Sequence, residues 1–170
     1  MSAILIRTGT LEDAEAILAI QHSVISEDDY FITVSEEFNR TQEQQREWIQ
    51  GLLDHERQTL LVAECNGAVV GLIDFRSPSS KRMSHTGSFG VMISKDHRGM
   101  GIGKMLLKAL LDWAELNPLI EKVNLGVFST NHRAISLYKK MGFVEECRKI
   151  KEIKLNETEY IDDLIMCKFV

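Results

Sequence analysis

Between positions 95 and 104 the chain reads Lys95-Asp96-His97-Arg98-Gly99-Met100-Gly101-Ile102-Gly103-Lys104, with glycine at every second position through its second half. No other stretch constrains the fold as much. A β-rich run at residues 87–93 ends just before it. The longest helical pattern begins inside it: Ile102, Met105, Leu106, Ala109, Leu110 and Trp113 recur at helical spacing until Asn117-Pro118 stops the helix. The chain must therefore pass from strand to helix with little side-chain bulk in the way. Such a turn bares successive backbone N–H groups at the positive end of a helix dipole, which suits an anion. Lys95, Arg98, Lys104 and Lys108 gather here against one carboxylate, Asp96, although the whole chain has a formal net charge of −5. A phosphate-bearing ligand accounts for that local basicity. A tight turn without a ligand is the alternative that glycine spacing alone leaves open.

Spacing narrows the ligand. Aligning Gly103-Lys104 with the Gly-Lys of a Walker A loop puts Arg98 where the first glycine belongs and Met105 where Ser or Thr should hold magnesium. Against a dinucleotide fingerprint, Gly99, Gly101 and Gly103 bring the third glycine one residue early. The segment also follows hairpin-like strands instead of opening a βαβ unit. A nucleotide hydrolase and a dehydrogenase are both disfavoured.

The rest of the chain organises around this turn. Residues 3–7 alternate as a first strand. Thr10 before Leu11-Glu12-Asp13 reads as an N-cap with an acidic first turn, and Ala14, Ile17, Leu18 and Gln21 trace one face of the helix. The polar stretch Ser26-Glu27-Asp28-Asp29-Tyr30 precedes a second helix, which starts at Thr41 with Gln44 as capping-box partner and has Trp48, Leu52 and Leu53 on its apolar side. β-rich runs at 59–65 and 68–75 flank Asn66-Gly67, a strong hairpin signal. Ser77-Pro78-Ser79-Ser80-Lys81 is a loop, and Gly87 and Gly90 invite a bulge in the strand that follows. A strand at 123–128, a short helix at 131–140 closed by Gly142, and a strand pair at 143–155 and 160–169 around Asn156-Glu157 complete the chain. The order β-α-α-β-β-β-α-β-α-β-β predicts one layered α/β domain over 1–170, a mixed sheet with helices on both faces.

Composition removes other classes. With 44% hydrophobic and 26% charged residues the chain can bury a core, so it is not a disordered segment. No apolar run approaches the roughly 18 residues of a membrane span. The start lacks the basic region of a signal peptide. The 3 cysteines, Cys65, Cys147 and Cys167, have no CxxC spacing, so neither a disulfide framework nor a zinc site is expected. They read as reduced thiols of a cytoplasmic protein. The mild acidity argues against nucleic-acid binding, and no membrane partner or metal is expected.

Two motifs then carry a resemblance. Arg98-x-x-Gly101-x-Gly103 is similar to the (Arg/Gln)-x-x-Gly-x-(Gly/Ala) signature of the GNAT family of N-acetyltransferases, and Gly90-Val91-Met92-Ile93 looks like that family's fourth strand. Downstream, the run from Asn131 to Phe143 resembles the second signature, N-x-x-A-I-x-L-Y-x-K-x-G-F, at almost every fixed position. The chain end, from Glu145-Glu146 to Met166, further resembles the branch with ribosomal-protein alanine and spermidine acetyltransferases. The resemblance covers nearly the whole chain. It implies a single-domain α/β fold with a mixed, mostly antiparallel β-sheet and helices on both faces.

It also implies acetyl transfer from acetyl-CoA to a primary amine of a small molecule, such as a polyamine or amino compound, or of a protein N-terminus. The CoA pyrophosphate is then expected on the backbone of Arg98, Gly99, Met100, Gly101, Ile102, Gly103 and Lys104. Pantetheine is expected along Val91 and Ile93, in a slot that a bulge at Gly87 and Gly90 would open, with an oxyanion donor near Met92 or Ile93. Asn131 is expected as an N-cap and a CoA contact. Tyr138 matches the position of the acid that protonates the departing thiolate, although its place beside Ala134 and Met141 equally suits packing. For the general base, residues 85–93 hold no carboxylate. His85 and Asp74 are the candidates, beside a water chain or an amine arriving deprotonated. Glu27, Asp28, Asp29, Glu36 and Glu37 border the expected acceptor region, where carboxylates suit a cationic amine and where a solvated loop would look the same. A catalytically silent acyl-CoA-binding module is the competing function, and a homodimer is in keeping with the many relatives that dimerise.

Overall fold

Residues 3–170, which the computed structural model describes, form β1 (Ile4–Thr8), α1 (Ala14–Ile25), α2 (Gln42–Leu53), β2 (Thr59–Cys65), β3 (Ala68–Arg76), β4 (Thr86–Ile93), α3 (Ile102–Leu116), β5 (Lys122–Phe128), α4 (His132–Lys140), β6 (Val144–Lys154) and β7 (Tyr160–Phe169). Met1 and Ser2 of the expected 1–170 domain lie outside the described residues. The element order is the one the sequence predicts.

Local chemistry sets the boundaries. Thr41 Oγ1 accepts the Gln44 N–H at 3.2 Å and Gln44 Oε1 accepts the Thr41 N–H at 2.9 Å, the reciprocal box that starts α2. Asp13 accepts the Thr10 N–H at 2.8 Å and both terminal nitrogens of Arg7, each at 2.8 Å, so it anchors the start of α1 to β1. Those Arg7 bonds hold its carboxyl below the usual range. Asn66 and Gly67 both take positive φ, 51° and 82°, which closes the β2–β3 hairpin.

The sheet order is β1-β2-β3-β4-β5-β7-β6, and β4–β5 is its one parallel pair among the described residues. α1 and α2 cover one face through Ile17, Ile49, Leu60 and Leu72. α3 and α4 cover the other through Phe75, Leu106, Leu110 and Met166. Strand β2 is buried on both sides, with Leu60 and Val62 toward one layer and Leu61 and Ala63 toward the other. Each large aliphatic side chain so placed is worth about 1.5–3 kcal/mol. Gln21 lies on the apolar face of α1 because the fully buried Gln45 donates to it at 3.0 Å. On α3 the stripe widens to Leu107, Leu111 and Ala114, while Met105 is exposed.

One expectation fails. β4 carries no bulge against β3: the register runs without a shift from Gly71↔Ile93 to Arg76↔Ser88. Its glycines answer to packing. A Cβ on Gly87 would fall 2.3 Å from the buried Phe75 ring, and one on Gly90 would fall 3.3 Å from Asp74 Oδ1. The register shift in this part of the sheet lies instead between Ala63 and Glu64 of β2.

Candidate active site

β4 and β5 pair only at Thr86↔Lys122, Gly87↔Val123 and Ser88↔Asn124, whereas β3 and β7 hold their outer sides over most of their length. Beyond Ser88 the sheet is therefore open, and a cleft of about 1110 Å³ continues the opening. The register fixes what β4 offers there. The Ser94 N–H donates to the Val70 C=O at 2.9 Å, and hydrogen-bonded pairs alternate along an antiparallel ladder. Ser88, Gly90 and Met92 consequently bond toward β3. The N–H and C=O groups of Phe89, Val91 and Ile93 face the opening. Val91, Met92 and Ile93 all line the cleft, but the Met92 N–H is directed into the ladder and its side chain packs toward α1 and α2.

The glycine turn closes one end of the opening. Gly99 and Gly101 hold φ of 83° and 80°, which a β-branched residue there would strain, and Gly101 serves as the N-cap of α3. Gly103 lets the helix start approach β4, since a Cβ there would sit 3.3 Å from Ile93 Cδ1. The N–H groups of Ile102, Gly103 and Lys104 lie in the first turn of α3 and have no intrahelical carbonyl to reach. Gly99, Gly101, Ile102, Gly103 and Lys104 line the cleft; Met100 points its side chain to solvent, 49% exposed.

Arg98 lines the cleft with the rest of the turn, but its polar groups are engaged by the protein. Its N–H bonds to the Lys95 C=O at 3.3 Å, and its guanidinium turns back to the Ile93 C=O at 3.1 Å and to Glu27 at 2.6 and 2.7 Å. The cation standing beside the turn is Arg133, whose Nη2 is 4.0 Å from where a Gly99 Cβ would be. Arg133 fills a variable position of the second motif, so the motif does not mark it.

At the far wall, Asn131 Oδ1 accepts the Ala134 N–H at 3.2 Å and starts α4, and the residue also lines the cleft. Tyr138 projects from α4 onto Phe89 and Phe143, edge to face, with centroids 5.8 and 6.0 Å apart. It too lines the cleft. Burial pushes its hydroxyl up to about 12, so it is protonated throughout the neutral range and able to donate.

An open parallel pair, a ring of unsatisfied N–H groups at a helix start and a protonated tyrosine thus share one cleft. Residues 23–143 match the model of the Acetyltransferase (GNAT) family. The chain belongs to that family. Over 168 residues it is 31% identical to the N-alpha-acetyltransferase of Sulfolobus acidocaldarius, covering 92% of this chain and 85% of that one. Over 121 residues it is 29% identical to the L-amino acid N-acetyltransferase AaaT of Escherichia coli, covering 71% and 74%. A solved acetyltransferase of the GNAT family from Streptococcus pneumoniae superposes with a TM-score of 0.94 at 27% identity, covering 99% of this chain and 100% of that one. The protein is a GNAT acetyltransferase, and acetyl-CoA is the acetyl donor of that family.

The remaining wall of this GNAT cleft faces α1 and α2. Arg76, Ser88, Gly90 and the loop from Tyr30 to Thr33 line it, together with Glu27, Asp29 and Asp163. Asp163, on β7 opposite Phe128, has one oxygen 3.4 Å from where a Gly126 Cβ would be. Burial raises its pKa, with Lys149 opposing. Its alternation with Leu164 in a strand made it look unremarkable in the sequence. Asp74 is buried beneath Gly90 with a raised pKa from burial, opposed by Arg76 and Arg40, and does not reach the cleft wall. His85 precedes β4, exposed, outside the cleft. Glu37 accepts the Val34 N–H at 3.2 Å, and Asp28 and Glu36 are exposed outside the cleft lining. Among the described residues no group of side chains could hold a metal, and no helix is long and apolar enough to cross a membrane.

Proposed function

We propose that the protein acetylates the primary amine of a small molecule or peptide N-terminus, holding acetyl-CoA in the gap between β4 and β5. The observation that carries this is the continuity of the gap with the glycine turn. An extended amide-bearing arm can pair with Val91 and with the Ile93 N–H. Its pyrophosphate then meets the N–H groups of residues 99–104, with Lys104 and Arg133 beside it. Arg98 already donates to the Ile93 C=O, so only the second lone pair of that carbonyl is left for the arm.

In this reading the amine attacks the thioester carbonyl, the C–N bond forms and the C–S bond breaks. A β4 N–H that faces the gap, from Val91 or Ile93, stabilises the oxyanion, a contribution of roughly 3–4 kcal/mol in enzymes where such a donor has been removed. The amine arrives as an ammonium and must lose one proton before attack and one after. Asp163, a cleft carboxylate with no hydrogen bond among the described residues, takes the first and passes it to water. Tyr138 donates a hydrogen bond to the developing thiolate and relays the second, so that CoA leaves as the thiol. Because the tyrosine is a weaker acid than the thiol, its help depends on position, not driving force.

A thermal scan tests the donor site. Acetyl-CoA at about 100 times its Kd should raise the midpoint by roughly 5–10 °C, while NAD and ATP leave it in place. No shift with acetyl-CoA, or a larger one with NAD, contradicts the assignment.

A further inference from the structure

Beyond the donor gap, the cleft contains a guanidinium paired by charge with a buried carboxylate. Arg76 follows Asp74 by two residues on β3, so both side chains leave the sheet toward α1 and α2, as Leu72 does. Arg76 Nε is 3.0 Å from Asp74 Oδ2. The aspartate side chain is 10% exposed and the arginine side chain 60% exposed, so a buried carboxylate pairs by charge, without a hydrogen bond to its Oδ2, with an arginine that opens into the cleft. The terminal nitrogens of Arg76 have no protein partner among the described residues. That free edge is the fork that receives a carboxylate through two parallel hydrogen bonds.

A second guanidinium stands behind it. Arg40 lies 4.9 Å from the Trp48 ring centroid and 5.4 Å from that of Phe38, and Nη1 donates to Gln45 Oε1 at 2.9 Å. Burial draws its pKa down, and the charge of Arg76 acts in the same direction. At this corner two arginines face the single carboxylate of Asp74, while Asp29 and Asp163 line the same wall of the cleft. The Glu27 carboxylate is already bound to Arg98. The wall beside the corner is apolar: Tyr30 and Ile32 are 47% and 71% exposed, and Phe31 joins them in the lining.

Resting on the acetyltransferase reading above, we infer that the acceptor is an α-amino acid with an apolar side chain, its carboxylate on the free edge of Arg76 and its side chain against Tyr30, Phe31 and Ile32. Arg76 pairs with Ser88, two residues along β4 from Gly90. That separation is roughly 7 Å, a span the arginine side chain itself covers, so the amine can reach the open end of the gap. A polyamine has no group for the fork.

Thiol release from acetyl-CoA, measured with phenylalanine, phenethylamine and spermidine, tests this. Phenylalanine should exceed the other two in kcat/KM by 10-fold or more. Arg76→Gln should lower kcat/KM for phenylalanine roughly 10–150-fold, mostly through KM, and leave phenethylamine within about 3-fold. Arg76→Lys, which keeps the charge without the fork, should fall between. Wild-type selectivity alone decides the matter if the variants fail to fold. Equal or better turnover of phenethylamine or spermidine, or equal damage by Arg76→Gln to phenylalanine and phenethylamine, overturns the amino-acid assignment and leaves the acetyltransferase reading intact. No thiol release with any of the three, in a protein that acetyl-CoA also fails to stabilise, overturns both.

Discussion

Arg98 grips Glu27 with both terminal nitrogens, Nη1 to Oε2 at 2.6 Å and Nη2 to Oε1 at 2.7 Å, across 71 positions of sequence. The same guanidinium holds the end of β4 through the Ile93 C=O. Arg98 also holds the Glu27 carboxyl below its ordinary range. One side chain thus ties the segment after α1, which borders the acceptor wall, to the turn that would receive the donor's phosphates.

Glu27→Gln keeps the shape of this link and removes its charge. The acceptor-side segment should loosen while the backbone N–H groups of the turn stay in place. We expect the acceptor KM to rise by roughly 3–10-fold, in line with the net strength of an ordinary hydrogen bond, because the pair is partly exposed, and the acetyl-CoA KM to change by less than about twofold. Steady-state kinetics with each substrate varied in turn make the comparison. Equal changes in both constants would show that the pair serves the donor site.

Tyr138→Phe removes one hydroxyl and retains the edge-to-face contacts with Phe89 and Phe143. The melting temperature and the acetyl-CoA shift should stay close to those of the wild type. Turnover should fall by about 10²–10⁴-fold, the usual share of a general acid. The deficit should shrink with an acyl donor whose thiol is more acidic. A folded variant with normal turnover would return Tyr138 to a packing role.

The acid limb of the rate profile should belong to Asp163. A base works only when deprotonated, so kcat/KM should fall as pH drops through its pKa, which burial has raised above the ordinary aspartate value. Asp163→Asn should abolish that limb and lower the plateau. The stability sign is opposite. A raised folded pKa gives stabilisation that is complete below the unfolded value and is lost as pH rises through the folded one. At neutral pH, Asp163→Asn should therefore melt no lower than the wild type. A variant that melts lower and keeps the acid limb would place the proton elsewhere.

How far the sequence could be read depended on the range of the interaction. Asn66-Gly67 and Thr41 with Gln44 act within four residues, and both appear as read. The element order followed from hydrophobic period, and the two motifs placed Gly99, Gly101, Gly103 and Tyr138 around one cleft. What escaped was long-range. Gly87 and Gly90 suggested a bulge, but the glycine at 87 is required by Phe75 on the neighbouring strand, which no local pattern reveals. Arg98 looked like a phosphate ligand from its motif, and only the folded chain brings Glu27 to it. Asp163 and Arg76 looked like ordinary strand residues until the register of β7 and β3 set them on the cleft side of the sheet.

An amide-resolved NMR titration with acetyl-CoA reads the individual backbone N–H groups on which donor binding rests. The largest shifts should fall on the amides of Gly99, Met100, Gly101, Ile102, Gly103 and Lys104, together with Val91 and Ile93. The Met92 and Arg98 amides, already turned toward β3 and Lys95, should move less. Shifts that leave the turn untouched, or that centre on Met92 and Gly90 in place of Val91 and Ile93, would contradict that placement of the donor.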